Sequence, residues 1–183
     1  MNGLRRLDPG RLQRHARILV LLLGGALIFL GLRDFRFVAI APDDDSTPTV
    51  EAGTKAMVKT LADDDFVLQR DALYLFDRTG DAVEISELRL ARLFALPGDL
   101  LVRAPLVAAD GERAEQTRVR VGAAERVLPS ELAELLPDVV PDGCVLLFTD
   151  NPACRHPDSR ALGPLPVERL KLRLVASLGL LPR

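Results

Sequence analysis

Residues 18–32, "ILVLLLGGALIFLGL", run without a charged or hydrogen-bonding side chain. A segment that is apolar on every side lacks the polar face of an ordinary amphipathic surface helix. As a helix it rises roughly 22 Å, against a hydrocarbon core of ~30 Å in a bilayer. Arg17 and Arg33 stand at its two ends, where long basic side chains snorkel and absorb the mismatch. The expectation is one transmembrane anchor over 18–32, preceded by a basic leader over 1–17. That leader holds five arginines against Asp8, so it carries +4 of a total of −2 and leaves −6 on the rest. Arginine excess on the N-terminal side keeps that end in the cytoplasm and sends the body out. A cleaved signal peptide is the rival reading, because Ala39-Ile40-Ala41 has the small-x-small form of a cleavage site. Against it, Pro42 would follow the scissile bond, and Arg33, Asp34 and Arg36 separate the apolar run from the site.

Residues 33–53 read as a linker, polar and proline-containing in "APDDDSTPTVEAG" (41–53). From residue 54 to the C-terminus short apolar runs alternate with turns. Phe66-Val67-Leu68, Leu73 to Phe76 and Val83 to Ile85 read as strands, as do "CVLLFTD" and "LKLRLVASL". "RVRVGAAERVLP" alternates as a half-exposed strand does. "SELAELLPD" (130–138) reads as one or two helical turns with Ser130 as N-cap. "ARLFALPGDLLV" (91–102) reads as two short strands joined at Pro97-Gly98-Asp99, on the plainest view a hairpin. This pattern predicts a mainly β, antiparallel domain over 54–183 rather than a parallel α/β fold.

The near-neutral overall charge excludes a generally basic nucleic-acid binder. No phosphate loop, dinucleotide fingerprint, EF-hand spacing or nucleic-acid module is present, so neither cofactor nor metal is expected. Cys144 and Cys154, the only cysteines, bracket Asp150-Asn151. Outside the cytoplasm an even count favours a disulfide. The alternatives are two free buried thiols, or a metal held by Cys144, Cys154, His156 and Asp158, whose spacing fits no standard zinc pattern.

Three segments carry a family likeness. "RLFALPGD", "VPDGCVLLFTDNP…PDSRALGPLP" and, more weakly, "AMVKTLADDDFVL" follow one another in the order and spacing of the type I signal peptidases, including their short plasmid-transfer relatives. The chain therefore resembles these membrane-anchored serine–lysine proteases from residue 54 almost to its end. The resemblance implies a signal-peptidase-like β domain behind one N-terminal membrane helix. It places the nucleophilic serine at Ala56, before Met57, and the lysine base at Ala91, before Arg92. A serine hydroxyl attacks the peptide carbonyl and a neutral lysine removes its proton; a methyl group does neither. It also implies a groove lined by Thr54, Lys55, Ala56, Met57, Ala91 and Arg92. Structural roles fall to Asp150, Asn151, Asp158, Ser159, Arg160 and Gly163, with Asp158 and Arg160 as an ion pair. Lys59 and Asp64 replace the family's proline and glycine beside the nucleophile, and His156 stands where the family has a serine that orients the lysine.

The chain has only three lysines, Lys55, Lys59 and Lys171, none of them on the stretch from Leu88 to Leu96. The expected function is that of a non-catalytic, signal-peptidase-like protein of the bacterial inner membrane with a periplasmic body. Its partner would be an exported polypeptide or a subunit of an inner-membrane complex. The alternative is an active signal peptidase with relocated groups, Thr54 with Lys55.

Overall fold

The computed structural model describes residues 9–40, 50, 53–61, 67–80, 84, 87–107, 113–151 and 157–178. The chain divides into two compact units, Met1–Phe35 and Arg36–Arg183. The first contains α1 (Pro9–Leu32), a helix of 24 residues with proline at its first position, where the missing N–H costs nothing. Its large side chains from Ile18 to Leu32 are exposed, Leu21 at 75% and Phe29 at 74%. Among the described residues no helix is long and apolar enough to cross a membrane. The segment expected to be an anchor is therefore present as a water-averse helix and no more.

The second unit is mainly antiparallel β. Its strands are β1 (Phe35–Ala39, whose first residue belongs to the other unit), β2 (Lys55–Thr60), β3 (Leu73–Phe76), β4 (Arg89–Ala95), β5 (Val102–Val107), β6 (Arg113–Val121), β7 (Ala124–Pro129), β8 (Cys144–Phe148), β9 (Leu165–Pro166) and β10 (Leu170–Leu178). Two short helices, α2 (Ser130–Leu135) and α3 (Ser159–Leu162), interrupt them. Seven strands form one sheet in the order β1-β2-β10-β3-β4-β8-β9, and β5-β6-β7 form a second. The last strand thus enters the middle of the larger sheet, antiparallel to both β2 and β3.

Alternation along the strands sorts the apolar residues into separate cores. On one face of the larger sheet Ala56, Val58, Leu73, Leu75, Leu90 and Leu172 pack together with Val38 and Ile40. On the other, Tyr74, Phe76, Ala91, Leu93, Val145 and Leu147 pack with Leu165 and Leu170. A third cluster joins Phe94, Leu146 and Phe148 of the larger sheet to Val119, Val121 and Leu128 of the smaller one, with Ala133 of α2.

Pro97-Gly98-Asp99 does not close a hairpin. The strands that flank it, β4 and β5, lie in different sheets. Asp99 N donates to Leu96 O, and Gly98 takes φ +79°, which is type II turn geometry with proline and glycine at its two centre positions. Tight two-residue hairpins use the mirror-image turns, whose twist matches the strands; a type II turn splays them. The chain instead pairs with residues 138–140. Leu100 bridges Val139, Val140 N donates to Asp99 O and Leu101 N to Asp138 O.

Other expectations change in detail. "RVRVGAAERVLP" is not one strand but the β6–β7 hairpin, turned at Gly122-Ala123 with Gly122 at φ +56°. Ser130 is not an N-cap; Pro129 holds that place, and the Ser130 hydroxyl pairs with Thr117 Oγ1 at 2.9 Å. Val67 and Leu68 lie outside any strand, while Phe66, Val83 and Ile85 fall outside the described residues. Leu73–Phe76, Cys144–Phe148 and Leu170–Leu178 are strands as read.

Candidate functional site

The sequence motifs converge where β4 meets β8. Arg92 leaves β4 opposite Phe148 and reaches Asp150, just beyond the end of β8. Arg92 Nε donates to Asp150 Oδ1 at 2.7 Å and Nη2 to Oδ2 at 2.5 Å, the bidentate fork that guanidinium and carboxylate planes favour. The Asp150 hydrogen bond holds the Arg92 guanidinium above its ordinary range, with burial opposing. Arg92 Nη1 donates to the carbonyl of Asp71, a non-glycine residue at φ +62°. Arg126 of β7 approaches Asp150 Oδ1 at 3.4 Å, so this carboxylate ties the smaller sheet to the larger one.

A second carboxylate lies deeper. Asp158 is 1% exposed and caps α3. It accepts from Thr149 N at 2.8 Å, from Arg160 N at 2.9 Å and from Arg160 Nε, and Arg160 Nη2 stands 2.8 Å from Oδ2. Arg160 Nη2 also donates to Thr149 Oγ1 at 2.6 Å, and that hydroxyl lies 3.0 Å from the carbonyl of Asn151. The buried Ser159 hydroxyl accepts from Leu147 N. Gly163, at φ +72°, closes α3 by donating to Ser159 O. Asp150, Asn151, Asp158, Ser159, Arg160 and Gly163 are therefore brought together, along with Arg92. Both carboxylates are held by guanidinium groups, and the cluster forms a clamp.

Ala56 and Ala91 are both 0% exposed, and they are not brought together. Ala56 belongs to the core with Val58, Leu75 and Leu90. Ala91, next to Leu90 on β4, points the other way, into the core with Tyr74 and Leu93. Thr54 is half-buried and its carbonyl accepts from Ile40 N; Lys55 is exposed and Met57 half-buried. Thr54 precedes β2, of which Lys55 is the first residue. Cys144 is a half-buried free thiol, and the partner expected for it, Cys154, lies outside the described residues, as do His156 and Asp64. Among the described residues no three His, Cys, Asp or Glu side chains are placed to hold a metal ion.

Sequence reasoning did not find Arg126, Thr149 or Tyr74. Thr149 sits next to a motif and was legible as part of it; Arg126 and Tyr74 lie far from it in the chain and carry no local signal. Tyr74, the only tyrosine, stands directly beside Ala91 on the neighbouring strand and fills the space on that face. Its hydroxyl accepts from Gln69 N at 3.1 Å. Burial pushes its phenol up from the ordinary 10.0, against opposing contributions from Gln69 and Arg173. A raised folded-state value favours the fold below the unfolded phenol's pKa, and that contribution is lost as pH rises through the folded value. The phenolate absorbance should thus emerge above pH 10, together with unfolding. Tyr74→Phe should abolish the absorbance step and flatten the alkaline loss of stability. A phenolate titrating at its ordinary value in the folded chain would contradict the burial.

No family model matches the chain, and no curated protein matches it.

Proposed function

We propose that the chain is a non-catalytic, signal-peptidase-like membrane protein. On this reading 18–32 anchors it in a bacterial inner membrane with its N-terminus in the cytoplasm. The β domain, on the periplasmic side, engages an exported polypeptide or another subunit of a membrane complex. One observation carries the reading. The residues that the resemblance assigns to scaffold close a single polar clamp, whereas the two it assigns to chemistry are buried alanines in separate cores. Extended segments are recognised largely through main-chain pairing, which does not need the lost side chains. The exposed apolar side chains of α1 and the arginine asymmetry around it support the anchor and its direction.

The test is the unmodified protein, purified in detergent and freed of contaminating peptidase, incubated with a preprotein of its host. No cleavage is expected. Cleavage that persists through purification and disappears in Lys55→Met would overturn the reading in favour of a relocated active site.

A further inference from the structure

The smaller sheet has two edges, and they differ in how they are closed. β5 carries Pro105 and a register shift between Pro105 and Val107, and just before it residues 99–101 pair with 138–140. Proline, bulges and covering segments are among the devices that close a sheet edge to further pairing. β7 has none of these before its last residue, Pro129, and pairs with β6 without a shift. Its two-residue turn makes Val121 and Ala124 the hydrogen-bonded closing pair, so Ala124, Arg126 and Leu128 direct their main-chain groups to β6. The N–H groups of Glu125 and Val127 then point away from β6, and among the described residues no strand lies on that side. The Glu125 carbonyl meets Arg126 Nη1 at 3.5 Å, a contact at the limit of a hydrogen bond.

The side chains along this edge define what it accepts. The hairpin over 116–129 holds Arg118, Arg120 and Arg126 against Glu125, a net of +2, whereas residues 18–183 together carry −6. Glu125 is taken by Arg118 at 2.9 Å, and Arg120 has no ion pair among the described residues. Arg126, with 37% of its side chain exposed, reaches Asp150 only at 3.4 Å, and Val127 is 47% exposed on the other side of the strand. A second copy of β7 fits this edge poorly. Antiparallel self-pairing of Glu125 with Val127 sets Arg126 directly opposite its own copy, and like charges there destabilise a sheet. A shift one way sets Glu125 against Glu125, and a shift the other way sets it against Pro129, which has no N–H to give. We propose that the β7 edge takes up an acidic, extended segment of an exported polypeptide as a fourth strand. A carboxylate then stands opposite Arg126 and a β-branched side chain beside Val127. An unfolded exported chain offers free main-chain groups, whereas a folded subunit has already paired most of its own. The edge belongs to a different sheet from positions 56 and 91. It rests on the proposed function only for the source of the polypeptide.

The full-length protein in detergent is mixed with a peptide of about eight residues that alternates glutamate with threonine. Amide exchange is read residue by residue by nuclear magnetic resonance. In the protein alone, the amides of Glu125 and Val127 should exchange faster than those of Arg126 and Leu128. The peptide should slow the first two by about tenfold or more, and N-methylation of its alternate amides should abolish that protection. Arg126→Gln should weaken binding of the glutamate peptide about fivefold and leave a glutamine version unchanged. An acidic exported protein of the host should protect the same two amides when unfolded and not when folded. Edge amides that are already protected without peptide, or equal binding of lysine and glutamate peptides, would overturn the proposal. Protection that rises with protein concentration alone would replace the polypeptide with a second copy. Cleavage of the preprotein would overturn the non-catalytic reading while leaving the edge standing.

Discussion

Asp158→Ala should destabilise the β domain by about 3–5 kcal/mol, the range for removing one partner of a buried ion pair. The carboxylate is almost wholly buried and serves several donors at once: the backbone N–H groups of Thr149 and Arg160 and the Arg160 guanidinium. Alanine leaves those N–H groups and a half-buried positive charge without their acceptor, and it removes the N-cap of α3 as well. Asp158→Asn keeps one oxygen for Thr149 N and should lose less. Removing Arg160 together with Asp158 should cost less than the two single losses added, because each single change strands the other partner. Urea unfolding followed by circular dichroism, with all variants in one detergent, measures these differences. A loss below about 1 kcal/mol for Asp158→Ala would mean that the clamp is ordinary surface pairing.

Ala91→Lys should be at least as damaging and should restore no activity. Position 91 lies in the apolar cluster of Tyr74, Leu93, Val145, Leu147 and Leu165. An ammonium placed there is either desolvated or neutralised, and its four-carbon stem overpacks a closed core. The expected cost is about 4 kcal/mol or more, a large part of the margin of a typical domain. Ala91→Ser, which is small and neutral, should lose far less and keep the fold. Adding Ala56→Ser to Ala91→Lys should not generate a peptidase, because the hydroxyl enters the core on the opposite face of the sheet. Thermal unfolding and the preprotein assay, run on the same samples, test both halves. A folded double variant that cleaves signal peptides would show that the two positions do meet in one groove.

The antiparallel β character was legible because it rests on local signals: alternation in "LKLRLVASL", continuous apolarity in "CVLLF" and glycine at the turns. Gly122 marks a tight hairpin that alternation alone had blurred into one strand. The Pro-Gly-Asp turn was legible as a turn but not as a crossing between sheets. Its residues specify a backbone angle, whereas the pairing of residues 98–101 is supplied by residues 138–140 far along the chain.

The candidate site divides in the same way. Its residue types were present in the sequence, since Asp150-Asn151 and Asp158-Ser159-Arg160 are short-range motifs whose oxygens and guanidinium must be satisfied once buried. Alanine at 56 and 91 was equally plain: the groups needed for serine–lysine chemistry are missing from those positions whatever the fold. Tertiary structure alone decided that Arg92 grips Asp150 and that Arg126 joins it from the second sheet. It also set Lys59 opposite Arg173 and turned Ala56 and Ala91 to opposite faces. The reason is the order of the strands. Strand periodicity tells each side chain which side of its own strand it leaves, but not which strands become neighbours. Pairing of β8 with β4 brings Asp150 to Arg92, and β10, entering between β2 and β3, aligns Lys59, Arg173 and Tyr74.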